Sequence, residues 1–83
     1  METILVIEDD SSLRNVLCAV LQTGGFTVHS ASTAEESLPI FKTERIDCVL
    51  ADFKLPGMNG IELLRKVRES FPRLPYVLMT AFG

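Results

Sequence analysis

Short apolar runs alternate with longer amphipathic ones along the whole chain. Thr3 to Ile7 is continuously apolar after its first residue, which suits a central parallel strand covered on both faces. Glu8-Asp9-Asp10-Ser11-Ser12 then supplies loop and helix-cap residues. Leu13, Val16, Leu17, Val20 and Leu21 follow the i, i+3, i+4, i+7, i+8 stripe of a helix with one buried face. Gly24-Gly25 ends that helix, as a C′ glycine should. Phe26 to Ser30 alternates apolar and polar residues, the pattern of an edge strand with one wet face, and His29 is expected on that face.

Ser32-Thr33-Ala34-Glu35-Glu36 holds two overlapping capping-box matches, Ser32 with Glu35 and Thr33 with Glu36. The helix they open is expected to turn Leu38 and Phe41 inward. Pro39 stands about two turns in, where the lost donor and ring clash cost ~3 kcal/mol unless relieved, so a kinked or irregular helix is expected. Ile46 to Ala51 is a third strand, stopping at Asp52. Leu55-Pro56-Gly57-Met58-Asn59-Gly60 is turn-rich, and Asn59 with Glu62 caps a third helix whose stripe is Ile61, Leu64, Val67 and Phe71. Arg73-Leu74-Pro75 turns the chain into a fourth strand, Tyr76 to Met79, ended by Thr80.

An order of β-α-β-α-β-α-β implies an α/β fold: a parallel sheet with right-handed crossovers and helices on both faces. With 83 residues there is room for one small domain, burying roughly 60–65% of its unfolded surface. A positive mean hydropathy of +0.27 places it among globular chains. No apolar stretch approaches the ~20 residues of a membrane span, and no basic leader precedes an apolar one. Cys18 and Cys48 match no disulfide or metal spacing, so both are expected as small core residues in a reducing cytoplasm. Net charge is −3 without a basic run, which argues against direct nucleic-acid binding. Arg65, Lys66 and Arg68 stand beside Glu62 and Glu69, and a solvated helix face is expected there.

The chemistry gathers at strand ends. Glu8, Asp9 and Asp10 end the first strand, Asp52 the third and Thr80 the fourth. A carboxylate at the end of a buried strand is costly unless something pairs or uses it. In open α/β sheets the carboxyl ends of the strands are also where ligands bind. If the three strands are parallel neighbours, these groups crowd onto one sheet edge. Without a cation such carboxylates repel and raise one another's pKa values.

Three motifs carry a resemblance: V-I-E-D-D-S-S-L-R from Val6, V-L-A-D-F-K-L-P-G-M-N-G from Val49, and V-L-M-T-A-F-G from Val77. With them the chain resembles, from Ile4 to Gly83, the receiver domains of two-component response regulators. The resemblance implies a three-layer, doubly wound, CheY-like (flavodoxin-like) parallel sheet with strand order 2-1-3-4. It also implies that Asp52 accepts a phosphoryl group from a histidine kinase or phosphotransfer protein. The family's acidic pair for Mg2+ falls on Glu8 and Asp9, and its metal-binding main-chain carbonyl falls on Lys54. The family's switch hydroxyl falls on Thr80, with a small neighbour at Ala81. Asp10 occupies a position that varies in the family and is given only a minor electrostatic role. Mg2+ takes one or two carboxylates and keeps several waters. Asp9 and Asp52 are therefore expected as direct ligands, and the longer Glu8 as the holder of a metal-bound water.

A complete receiver has five strands and five helices, with a lysine and an aromatic switch residue on the fifth strand. The resemblance thus implies a partial receiver domain over residues 1–83, truncated after the fourth strand. An open fourth-strand edge and a bare apolar face favour self-association, such as a homodimer. Two functions compete: a Mg2+-dependent phosphoacceptor switch, or a phosphorylation-impaired fragment that works as a self-associating scaffold. An unrelated metal-carboxylate hydrolase finds no nucleophile constellation or Gly-rich phosphate loop to support it. The V-L-M-T-A-F-G ending is similar to receivers attached to transcriptional activators.

Overall fold

The computed structural model describes residues 2–80. Its elements are β1 (Thr3–Ile7), α1 (Ser11–Thr23), β2 (Thr27–Ala31), α2 (Ala34–Thr43), β3 (Cys48–Asp52), α3 (Gly60–Ser70) and β4 (Tyr76–Met79). The four strands form one parallel sheet in the order β2-β1-β3-β4, as expected. β1 is central, and Leu5, Val6 and Ile7 are wholly buried. That explains its unbroken apolar run: both faces are covered, so neither needs polar residues.

Strand alternation divides the core. Leu5, Ile7, Val49 and Ala51 face α2 and α3, where Ala34, Leu63 and Val67 meet them. Each fully buried aliphatic side chain there contributes about 2 kcal/mol of transfer free energy. Ile4 and Val6, buried but outside that cluster, face the opposite layer, where α1 lies over β1 and β2.

The helices depart from the expected stripes. In α1 no residue is buried, and Leu13, Val16 and Val20 are 44%, 58% and 64% exposed. The stripe is present, but among the described residues only its inner edge, Leu17 and Leu21, is half-buried. Nothing described packs on its other flank. In α3 the buried residues are Gly60, Leu63 and Val67, not Ile61 and Leu64, which are half-buried, while Phe71 is 42% exposed. Phe71 caps the helix instead, with its ring 6.1 Å from that of Phe41. α2 runs as one α-helix through Pro39, so the irregularity expected there does not break it. Cys18 and Cys48 are half-buried free thiols rather than full core residues.

Local chemistry fixes the ends. Of the loop and helix-cap residues expected between Glu8 and Ser12, it is Asp10 that caps α1, accepting from the Leu13 N–H at 3.0 Å. Asn59 and Glu62 close the capping box of α3. Arg68 is not a purely solvated charge, because it donates to the carbonyls of Phe71 and Leu74 at 3.1 and 2.6 Å. There it also complements the helix dipole. His29 is half-buried with Nε2 3.4 Å from Glu44, so it has a partner the strand pattern did not suggest. Among the described residues no helix is long and apolar enough to cross a membrane.

Candidate metal centre

The sheet register builds the site. Ile7 lies level with Ala51 in neighbouring parallel strands, so the residues that follow, Glu8 and Asp52, reach the same sheet edge together. Glu8 extends the ladder by donating its N–H to the Ala31 carbonyl at 3.1 Å, which draws its side chain into the protein. It is only 3% exposed. Asp9 is exposed in the bend that follows, and Asp52 is half-buried at the end of β3. One carboxylate oxygen from each of these three residues lies within 4.8 Å of the others.

Three anions this close are electrostatically strained. Glu8 responds: its carboxyl is pushed up to about 7, chiefly by burial and then by the neighbouring Asp52 and Asp9 carboxylates. The Asp10 main chain opposes the shift. Oε2 of Glu8 is buried without a hydrogen-bond partner. A buried acceptor left unpaired costs about 1–3 kcal/mol, so the site holds a group that a bound ligand would satisfy. Converging oxygen donors of this hardness fit a divalent cation such as Mg2+ better than a thiophilic metal.

The loop after β3 folds back over this edge. The Lys54 N–H donates to Asp52 Oδ1 at 3.1 Å, Phe53 N–H to the Met79 carbonyl at 2.9 Å, and Gly60 N–H to the Phe53 carbonyl at 3.1 Å. Gly57 supplies a left-handed residue at φ +71°. Asp52 is level with Met79, which puts Thr80 one residue beyond it on the adjoining strand. Thr80 is exposed. Ala81, expected as its small neighbour, lies outside the described residues, as do Phe82 and Gly83 of the same motif.

Two nearby polar residues had no clear signal in the sequence. Arg14, in the first turns of α1, donates from Nη1 to the Glu8 carbonyl at 2.8 Å and so holds the β1 end from above. Glu35 reaches the β3–α3 loop, donating nothing and accepting the Met58 N–H at 3.0 Å. The adjacent Glu35 and Glu36 look interchangeable as capping partners, and only the fold separates them. Glu36 takes the N–H and hydroxyl of Ser32, while its own N–H donates to the capping Thr33. The expected Ser32–Glu35 box is therefore replaced by a Ser32–Glu36 contact.

A four-stranded parallel sheet with an acidic cluster at the carboxyl ends of its inner strands makes this edge a candidate divalent-cation site. The chain belongs to the response regulator receiver domain family, which it matches over residues 4–83. It is 40% identical over 80 residues to response regulator protein FleR of Pseudomonas aeruginosa, covering 96% of this chain and 17% of FleR. It is 35% identical over 82 residues to sporulation initiation phosphotransferase F of Bacillus subtilis, covering 99% of this chain and 66% of that protein. The chain thus spans less than two thirds of either relative. Among solved structures, response regulator protein TrrA of Thermotoga maritima, in complex with Mg2+ and BeF, superposes with a TM-score of 0.93 at 31% identity. That match covers all of this chain and 72% of TrrA.

Proposed function

We propose that this chain is a phosphoacceptor switch. Asp52 takes a phosphoryl group from a histidine kinase or phosphotransfer protein, and Glu8, Asp9, Asp52 and the Lys54 carbonyl hold Mg2+. The observation that carries this reading is the convergence of the three carboxylates around a buried, unpartnered Glu8 oxygen. When bound, Mg2+ supplies positive charge against the repulsion between a carboxylate and an incoming phosphoryl group.

The chain's own groups do the rest. A carboxylate oxygen of Asp52 attacks phosphorus in line; the new O–P bond forms as the P–N bond of the phosphohistidine breaks. The bonding pair returns to the imidazole nitrogen, which takes up a proton from solvent. Oδ1 of Asp52, held by the Lys54 N–H, keeps the carboxylate from rotating away. Glu8, whose carboxyl is raised by burial and by its acidic neighbours, would have to be ionised to help hold a cation there. The Thr80 hydroxyl, one residue past the level of Asp52, donates to the phosphoryl oxygens. The chain assists its own modification once and does not turn over, so it acts as a switch rather than an enzyme, with the cytoplasm as its proposed location.

The test is incubation with acetyl phosphate and Mg2+ followed by intact mass spectrometry. A phosphate-mass adduct that is lost in Asp52→Asn and in the absence of Mg2+ is the expected result. Wild-type chain that stays unmodified while a complete receiver reacts alongside it overturns the phosphoacceptor role. The second reading, a self-associating scaffold, is favoured by the exposed Val16, Val20 and Val77.

A further inference from the structure

Glu35 stands in the first turn of α2, on a different crossover from the acidic cluster, and Glu36 has left it free of capping duty. Its carboxylate is seated against the turn at Gly57–Met58. Oε2 accepts the Met58 N–H at 3.0 Å, and a Cβ on Gly57 would stand 2.7 Å from that same oxygen. Gly57 has φ +71°, so the turn suits glycine for its backbone as well as for its neighbour. This contact spans 23 residues of sequence. The rest of the loop is anchored from its own segment: Leu55 is buried in the core, Asn59 and Gly60 enter α3, and Gly60 bonds back to Phe53. Between those anchors the Met58 side chain packs on the core, and its main-chain N–H is held by Glu35. The segment upstream of it contains Lys54, whose N–H already bonds Asp52.

We propose that Glu35 is a positioning residue for the acidic site: by holding the turn at Gly57–Met58 it sets where the Lys54 main chain stands relative to Asp52. A carboxylate accepting a main-chain N–H makes a stronger, shorter bond than a neutral acceptor does. A helix N-terminus is also where a carboxylate is favourably placed. Glu35 therefore ties the start of α2 to the loop over the site, and a change in either is felt by the other. The inference rests on Lys54 and Asp52 serving one cation.

The test compares wild type, Glu35→Ala and Glu35→Gln, using the full chain. Amide exchange of Met58 is followed by NMR without metal, and Mg2+ affinity is measured by calorimetry. Glu35→Ala is expected to speed Met58 exchange by about five-fold, the size of one exposed hydrogen bond. It is expected to weaken Mg2+ binding by about three- to ten-fold, with Glu35→Gln, which keeps an acceptor oxygen, recovering most of both losses. Unchanged Met58 exchange in Glu35→Ala overturns the tether. Faster exchange with unaltered Mg2+ affinity overturns the positioning role. A wild-type chain that binds no Mg2+ at all defeats the shared-cation reading instead, and the Met58 comparison still decides whether Glu35 holds the loop.

Discussion

A Cβ on Gly60 would stand 2.5 Å from the main-chain oxygen of Asp52 and 2.8 Å from the side chain of Leu78. The first residue of α3 is thus in direct contact with the last residue of β3. Leu78 can rotate away from an added methyl, but the Asp52 carbonyl belongs to the sheet and cannot. Gly60→Ala must therefore push α3 off the end of β3. Overpacking of this kind costs about 1–3 kcal/mol, and the better helix propensity of alanine returns at most ~1 kcal/mol. Urea unfolding is expected to show a net loss of about 1–2 kcal/mol, with weaker Mg2+ binding because the displaced start of α3 drags the loop that carries Lys54 away from Asp52. Stability equal to wild type would contradict the close approach.

The same glycine is held from β4. Tyr76 donates its hydroxyl to the Gly60 carbonyl at 2.7 Å, and burial pushes the phenol up to about 12 despite the opposing charge of Arg68. A folded-state value above the ordinary 10 means the native state keeps this proton longer than the unfolded chain. The stabilisation is complete below pH ~10 and is lost as pH rises towards ~12. Tyr76 is the chain's single tyrosine, so tyrosinate absorbance titrates it without interference. A native midpoint near 10, matching the urea-unfolded chain, would refute the buried hydrogen bond. Tyr76→Phe is expected to cost about 1 kcal/mol.

Glu8 gives stability a second pH dependence, on the acid side. Its carboxyl titrates at about 7 rather than 4.5 because the site is buried and already negative. Between those values the native state binds more protons than the unfolded state, so stability falls as pH rises. The stabilisation is complete below about 4.5 and gone above about 7, a loss on the order of 2–3 kcal/mol. Denaturant melts of metal-free protein should show this decline; Glu35 and Glu36, whose hydrogen-bonded carboxyls are held low, act in the opposite direction but at pH values below about 4.5, outside this window. Glu8→Gln should abolish it, and saturating Mg2+ should flatten it by binding the ionised form. A decline that persists in Glu8→Gln assigns it to another group.

Much of this was legible in residue order. The unbroken apolar run of β1 and the alternating elements specify a parallel sheet, because only burial on both faces tolerates such a strand. Strand ends then place Glu8, Asp9 and Asp52 on one edge, and their convergence follows from register. Side-chain partnerships were less legible. Periodicity gives a helix its apolar stripe but not which flank another element covers, so Val16 and Val20 look like core and are exposed. In α3 the burial of Gly60 against β3 rotates the inward face onto Leu63 and Val67. Glu35 looks like a capping residue because Ser32 is near it in sequence, while its actual partner lies on a distant loop.

The exposed stripe has its own consequence. α1 covers β1 and β2, and Tyr76 joins the core on the α3 side of the sheet, so Val77 points to the α1 side. Val77 is 50% exposed there, beside the half-buried Leu50 that pairs with it in register. Val16 and Val20 are more exposed still. β4 also leaves one edge unpaired among the described residues, and an open edge is a template for another strand. Burying a valine side chain is worth about 1.5 kcal/mol or more. The 83-residue chain is therefore expected to self-associate at micromolar concentration in sedimentation experiments. Val16→Ser, Val20→Ser and Val77→Ser combined should weaken that association by at least about ten-fold, allowing for the entropy cost of pairing. Each replacement is at a solvent-exposed position, so the monomer should keep its circular dichroism. A folded wild-type monomer across that concentration range would remove the case for a homodimer.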